Sequence, residues 1–277
     1  MFYVITAFFG FFAGFLSGFF GIGGGVVYVP TLLFILRARG YSPGDAMLIA
    51  TGTSLGAILF STTSSAWRHK KYGNVRTETL IPILIGVVLT SAVGVLITNK
   101  IGGDPLRYLL AAFNLWASYR MFKKAFGKSA ETGAAKNPLF DSFSAMPWKV
   151  KLFLFGLGIV VGVKSAMLGI GGGVFVVAGL IAVLGYPARN AAGTSAFVAF
   201  VAAVVGVIFR GILGKPPPSV PPGTVGTLNI PLALLMGIPA AFSAQLGAYV
   251  HKRLGERNLF FILFGILLLI VSAKMIF

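Results

Sequence analysis

The chain has no cysteine, two histidines and only six acidic residues among 277. Without cysteine there are no disulfides and no thiolate chemistry. The two histidines, His69 and His251, stand in separate basic stretches, so no cluster with metal-ligand spacing forms and no metal site is read. No paired carboxylates and no histidine beside a candidate nucleophile occur, so no catalytic residue is expected. Phosphate-cradling loops are missing as well. The string GIGGG lacks the third glycine of a dinucleotide fingerprint, because that position is Val26, and no G-x-x-x-x-G-K-[ST] is present. No cofactor is read from the chain.

Charge is scarce too, at 10% of residues against roughly 25% in a soluble domain. Hydrophobic residues make up 57%, and the mean hydropathy is +0.91. Stretches such as 80–98 and 259–277 run about 19 residues with almost no charge, enough to cross a hydrocarbon core of about 30 Å. They are continuous rather than alternating, which excludes an outer-membrane barrel. The fold class that follows is all-α: a polytopic, multi-pass membrane protein. The first apolar stretch has no charged region before it and no cleavage site after it, so it is expected to remain as a span.

The charge that exists is lopsided, with 23 Lys and Arg giving a net +17. The basic residues gather in short loops such as WRHKKYGNVR at 67–76 and HKRLGER at 251–257. That distribution orients helices by the positive-inside rule, so the partner implied is a lipid bilayer and not nucleic acid.

What is abundant is glycine, 37 residues, and it is patterned. GIGGG occurs at 21–25 and again at 169–173, and GTS follows at 52–54 and at 193–195. KIGGDPL at 100–106 is mirrored by RLGERNL at 253–259. Three motifs in the same order indicate an internal duplication. The boundaries expected are a first membrane repeat at 1–126, a linker at 127–148 and a second repeat at 149–277. Each repeat holds five apolar pieces, near 2–20, 26–36, 46–66, 79–98 and 106–122, then 150–168, 174–184, 188–209, 225–250 and 259–277. The piece after each GIGGG is only ~11 residues, short of the ~20 that span.

Loop charge sets the orientation. Lys123, Lys124, Lys149 and Lys151 flank the linker and WRHKKYGNVR is strongly basic, so both are expected in the cytoplasm. The second-half counterpart of the latter, GILGKPPPSVPPG, has one lysine and five prolines and falls outside. Equivalent loops lie on opposite faces, so the repeats are inverted, with both ends of the chain outward. Inverted repeats carrying paired glycine-interrupted segments are a plan of secondary transporters, and alternating access follows from it. A passive anion channel is the alternative.

Four glycines in five residues favour a break in a helix, since each costs about 1 kcal/mol in a helix interior. A break inside the membrane frees backbone groups that protein, water or ligand must satisfy. The short piece after each break exposes a helix N-terminus, whose N–H groups and dipole suit an anion. Gly23, Gly24 and Gly25, with Gly171, Gly172 and Gly173, are therefore expected to line a substrate site.

GIGGG preceded by Ser17 or Ser165, followed by a GTS helix, in two copies, resembles the sulfite exporter TauE/SafE family. That resemblance covers nearly the whole chain. It implies a permease of the bacterial inner membrane that moves a small sulfur-containing anion, sulfite or a sulfonate, as monomer or homodimer.

Lys164 lies five residues before Gly169 with apolar residues on both sides. An intramembrane lysine is a functional-site hypothesis; at 1.5 Å per residue it sits about 7 Å from the break. It is read as the only charge deep in the membrane beside a break, its first-half counterpart being Leu16. Hydroxyls and amides expected to help bind the anion are Ser17, Ser165, Thr53, Ser54, Thr194, Ser195, Asn190 and Gln245. Trp116 reads as a packing or interface aromatic. All six acidic residues fall in loops or at helix ends, so the substrate is expected to be an anion.

Overall fold

The structure, a computed structural model, describes residues 2–20, 24–126, 142–254 and 258–276. Gly23 and most of the linker, residues 127–141, lie outside the described residues.

In the first half the helices are α1 (Phe2–Phe20), α2 (Gly25–Arg37), α3 (Pro43–Lys71), α4 (Thr77–Ile101) and α5 (Gly103–Phe126). The second half has α6 (Trp148–Leu168), α7 (Gly173–Ala182), α8 (Ala188–Ile212), α9 (Ile230–Leu254) and α10 (Asn258–Ile276). A two-stranded hairpin, β1 (Thr224–Val225) with β2 (Leu228–Asn229), precedes α9, so that helix begins later than its apolar run. Among the described residues, five helices are long and apolar enough to cross a membrane: α3, α4, α6, α8 and α9.

Local chemistry explains the ends. α3 starts where the Ser42 side chain accepts from the Asp45 N–H, with Pro43 opening the first turn. It closes on Arg68, Lys70 and Lys71, cations at the negative end of the helix dipole. α4 shows how a span divides its faces: Ile81, Ile85, Leu89 and Leu96 are exposed, while Ile83, Val87 and Val95 are buried. The exposed row suits acyl chains and the buried row packs on α6.

Helix directions establish the inversion. Gly10, Gly14 and Gly18 of α1 meet Met236, Ala240 and Ala244 of α9 in step, so these helices run parallel. Small residues every fourth position allow that close approach. α3 runs with α9 as well, since Thr53 faces Asn229, Gly237 faces Phe60 and Arg68 reaches Gln245. α4 runs parallel to α6, Gly86 meeting Phe155 and Gly94 meeting Val163, and parallel to α8, whose Thr194 faces Arg76 and whose Arg210 faces Thr98. The tight turn at 72–76 makes α3 and α4 antiparallel. Thus α1, α3 and α9 point one way and α4, α6 and α8 the other. The helices α1, α3 and α4 oppose their second-half counterparts α6, α8 and α9, and the two repeats are inverted and interleaved.

Candidate anion site at the two glycine breaks

A helix restarts after each GIGGG, and the capping glycines have the same backbone conformation. Gly24 caps α2 with φ 69° and ψ −10°, and Gly172 caps α7 with φ 69° and ψ −6°. This left-handed conformation is one that side-chain-bearing residues rarely hold. The first N–H groups of α2 and α7 have no intrahelical partner, as at any helix start. The breaks also touch: a Cβ on Gly25 would strike the Ile170 Cα and the Gly169 carbonyl oxygen. Backbone meets backbone in the middle of the molecule.

The GTS motif holds this junction, and each residue has a separate task. Gly52 lets α3 approach the backbone of Thr227, and Gly193 lets α8 approach that of Asn74. Thr53 Oγ1 accepts the Asn229 N–H at 3.0 Å, and Thr194 Oγ1 accepts the Arg76 N–H at 3.0 Å. Asn229 sits just before α9 and Arg76 just before α4, so each threonine ties its own repeat to the entry of a helix in the other. Ser54 Oγ donates to the Gly169 carbonyl at 2.7 Å, and Ser195 Oγ donates to that of Gly173 at 2.8 Å. These hydroxyls therefore stabilise the second break through its carbonyls.

Ser17 and Ser165 differ from them. Both are buried, and neither hydroxyl has a hydrogen-bond partner. Ser17 lies against Gly24, its Cβ 3.1 Å from where a Cβ on that glycine would stand. An orphaned hydroxyl in a membrane interior costs free energy unless something arrives to bond it. Asn190 donates weakly from Nδ2 to the Asn74 carbonyl at 3.5 Å, away from the breaks. Gln245 is half-buried on α9, where its backbone carbonyl accepts from Arg68, and it does not line the cavity described next.

Lys164 is half-buried in a cavity of about 330 Å³ at the second break. Its Nζ sits 3.8 Å from the Phe175 ring centroid and 4.9 Å from that of Phe113. Phe113, Phe175 and Trp116 form an aromatic triad, with Trp116 stacked on Phe175 at 5.7 Å and 8°. Leu109, Met167 and Leu168 complete the lining. Ring faces attract the ammonium electrostatically, and Lys164 is the one charged residue in the lining. Trp116, expected to be a packing or interface aromatic, forms a wall of this cavity.

The expectation that Lys164 is the only deep charge is corrected by Arg210. This residue falls one position past the apolar run that ends at 209, yet α8 continues to Ile212 and Arg210 is fully buried. Its Nε and Nη2 donate to the Ala166 and Met167 carbonyls, both at 2.9 Å, and Nη1 reaches Thr227 Oγ1 at 3.2 Å. A guanidinium fork satisfies the carbonyl end of α6, the end that the break would otherwise leave bare. Laid on the GTS register, the first-half counterpart is His69, also buried, with Nδ1 3.4 Å from Asn74 Nδ2. The signal available in the sequence is this register, which puts a nitrogen-bearing side chain, His69 or Arg210, at the same place in both repeats.

The sequence model of the sulfite exporter TauE/SafE family matches residues 6–275. The chain belongs to the TauE/SafE family. Relatives include a probable membrane transporter protein of Methanocaldococcus jannaschii, 29% identical over 93% of this chain and 90% of its own length. A probable membrane transporter protein of Haemophilus influenzae is 28% identical over 87% of this chain and 86% of its own length, and one of Bacillus subtilis is 24% identical over 99% and 97%. No solved structure matches. Family membership makes the chain a membrane transporter.

Proposed function

We propose that this transporter carries a small sulfur-containing anion, sulfite or a sulfonate, across the bacterial inner membrane by alternating access. The observation that carries the reading is Lys164: an ammonium half-buried in a cavity at a helix break, held by ring faces with no carboxylate in the lining. An anion there would pair with Lys164 and meet the first turn of α7, whose Phe175 forms a wall of the cavity. The orphaned hydroxyls of Ser17 and Ser165 are the next donors as the breaks rearrange. Desolvating such an anion requires this compensation, because a bare charge in a low-dielectric interior costs several kcal/mol.

The contact of Gly25 with Gly169 and Ile170 favours a carrier over a standing pore, since the middle is closed by backbone and must open for passage. The inverted repeats supply two equivalent ways to open it, one to each side. With an inside-negative potential, uncoupled movement of a monoanion would run outward with ~2.3 kcal/mol per 100 mV. The basic loops place the linker in the cytoplasm on this reading. Flux of sulfite, sulfate, thiosulfate and small sulfonates into proteoliposomes tests it. Saturable uptake of at least one, lost in Lys164→Met, is the expected result; an unsaturable current, or none, would overturn the carrier reading.

A further inference from the structure

The cavity at the second break is larger and more apolar than a small oxyanion needs. Its volume of about 330 Å³ falls at the lower end of the range for organic ligands, about 300–1,000 Å³. It equals the share of roughly eleven waters at about 30 Å³ each. The polar side chain lining it is Lys164; the other walls are three aromatic rings, two leucines and a methionine. Sulfite paired with the ammonium would leave those walls bare. Waters filling the remainder would find too few polar partners, and an unfilled apolar cavity forfeits contact energy.

We infer that the site takes an amphipathic organic monoanion, with one carboxylate or sulfonate head on Lys164 and a flat apolar body against Phe113 and Trp116. This rests on the reading that Lys164 holds the transported anion. One ammonium in the lining balances one negative charge, which disfavours dianions. Arg120 approaches the Trp116 ring to 5.7 Å but does not line the cavity. The Phe175 and Phe113 faces hold the ammonium. The head of the ligand forms an ion pair there, while its body gains ring stacking that sulfite lacks.

Purified transporter in detergent is titrated at one pH with benzoate, sulfite and neutral benzyl alcohol, read by calorimetry and by tryptophan fluorescence, for which Trp116 is a reporter in the cavity wall. Parent, Lys164→Met and Lys164→Gln proteins are compared. Benzoate is expected to bind at least tenfold tighter than sulfite or benzyl alcohol to the parent, and both variants to lose at least tenfold for benzoate alone. Sulfite binding as tightly as benzoate, with Lys164 dependence, overturns the inference and leaves the anion site standing. Benzyl alcohol binding as well as benzoate reduces the cavity to an apolar groove and overturns it too. Anion affinities that ignore both lysine substitutions remove the anion site itself. The parent comparison holds even if a variant fails to fold.

Discussion

The two glycine breaks share the conformation of their capping glycine and differ in what surrounds it. Gly24 and Gly172 have nearly the same dihedrals, and each break sits beside a buried, unpartnered serine, Ser17 or Ser165. Around the first break lie Leu16, Ala13 and Tyr28, which are buried and carry no charge. Beside the second are Lys164 in its aromatic cavity and Arg210 on the end of α6. The shared part is the hinge geometry that an inverted pair requires. The unshared part concentrates the positive charge at one break, and there the anion is proposed to sit. Symmetry thus serves movement and asymmetry serves recognition.

The largest effect expected from breaking this comparison is at Arg210. Arg210→Leu leaves the Ala166 and Met167 carbonyls without their donor and should destabilise the protein by about 1–3 kcal/mol for each carbonyl orphaned. His69→Leu, at the matching place, should cost less, because it removes no guanidinium fork bonded to two carbonyls. Thermal unfolding in detergent measures both; equal losses would erase the claimed difference between the halves. Arg210→Lys should recover only part of the stability, since a point charge cannot serve both carbonyls as a fork does.

Next come the glycines, where the halves should agree. Gly24→Val and Gly172→Val each impose left-handed strain of about 1–3 kcal/mol. Each also drives a side chain into a neighbour, Tyr28 for the first and Val161 for the second. Transport should fall to background in both while membrane expression persists. Normal flux in either would assign that glycine to packing alone.

Ser54→Ala and Ser195→Ala remove donors to Gly169 and Gly173 and should cost about 0.5–1.5 kcal/mol each. The smallest stability effect belongs to Ser17→Ala and Ser165→Ala, because deleting a hydroxyl without a partner loses no bond. These two should unfold at or slightly above the parent temperature, yet bind substrate more weakly. Lower thermal stability would show that the hydroxyls already have structural work.

Much of this was legible in the residues. The repeated GIGGG and GTS strings specify the breaks and the helices that lock them, because few other sequences interrupt an apolar run so sharply. Loop charge gave the inversion that the parallel pairs α1–α9 and α4–α6 display. Lys164 stood out as a lone charge in an apolar run. Its aromatic surroundings did not, since Phe113 and Trp116 come from the first half and Phe175 from the second, and only packing joins them. Arg210 was hidden by its position at the end of an apolar run, where an arginine reads as reaching for the interface. Its true partners, the α6 carbonyls, are 43 and 44 residues away. Thr53 and Thr194, expected from the GTS motif to help bind the anion, accept backbone N–H groups from segments far along the chain, partners that their spacing does not reveal.

The central claim is that the anion is recognised at the second break by Lys164. The most direct measurement is initial anion flux in proteoliposomes for parent, Lys164→Met and the swapped pair Leu16→Lys with Lys164→Leu. The account predicts saturable flux in the parent and loss of at least tenfold in Lys164→Met, with no rescue by the swap, since the cavity walled by Phe113, Trp116 and Phe175 lies at position 164. Flux in Lys164→Met equal to the parent, at the same half-saturating concentration, would contradict it.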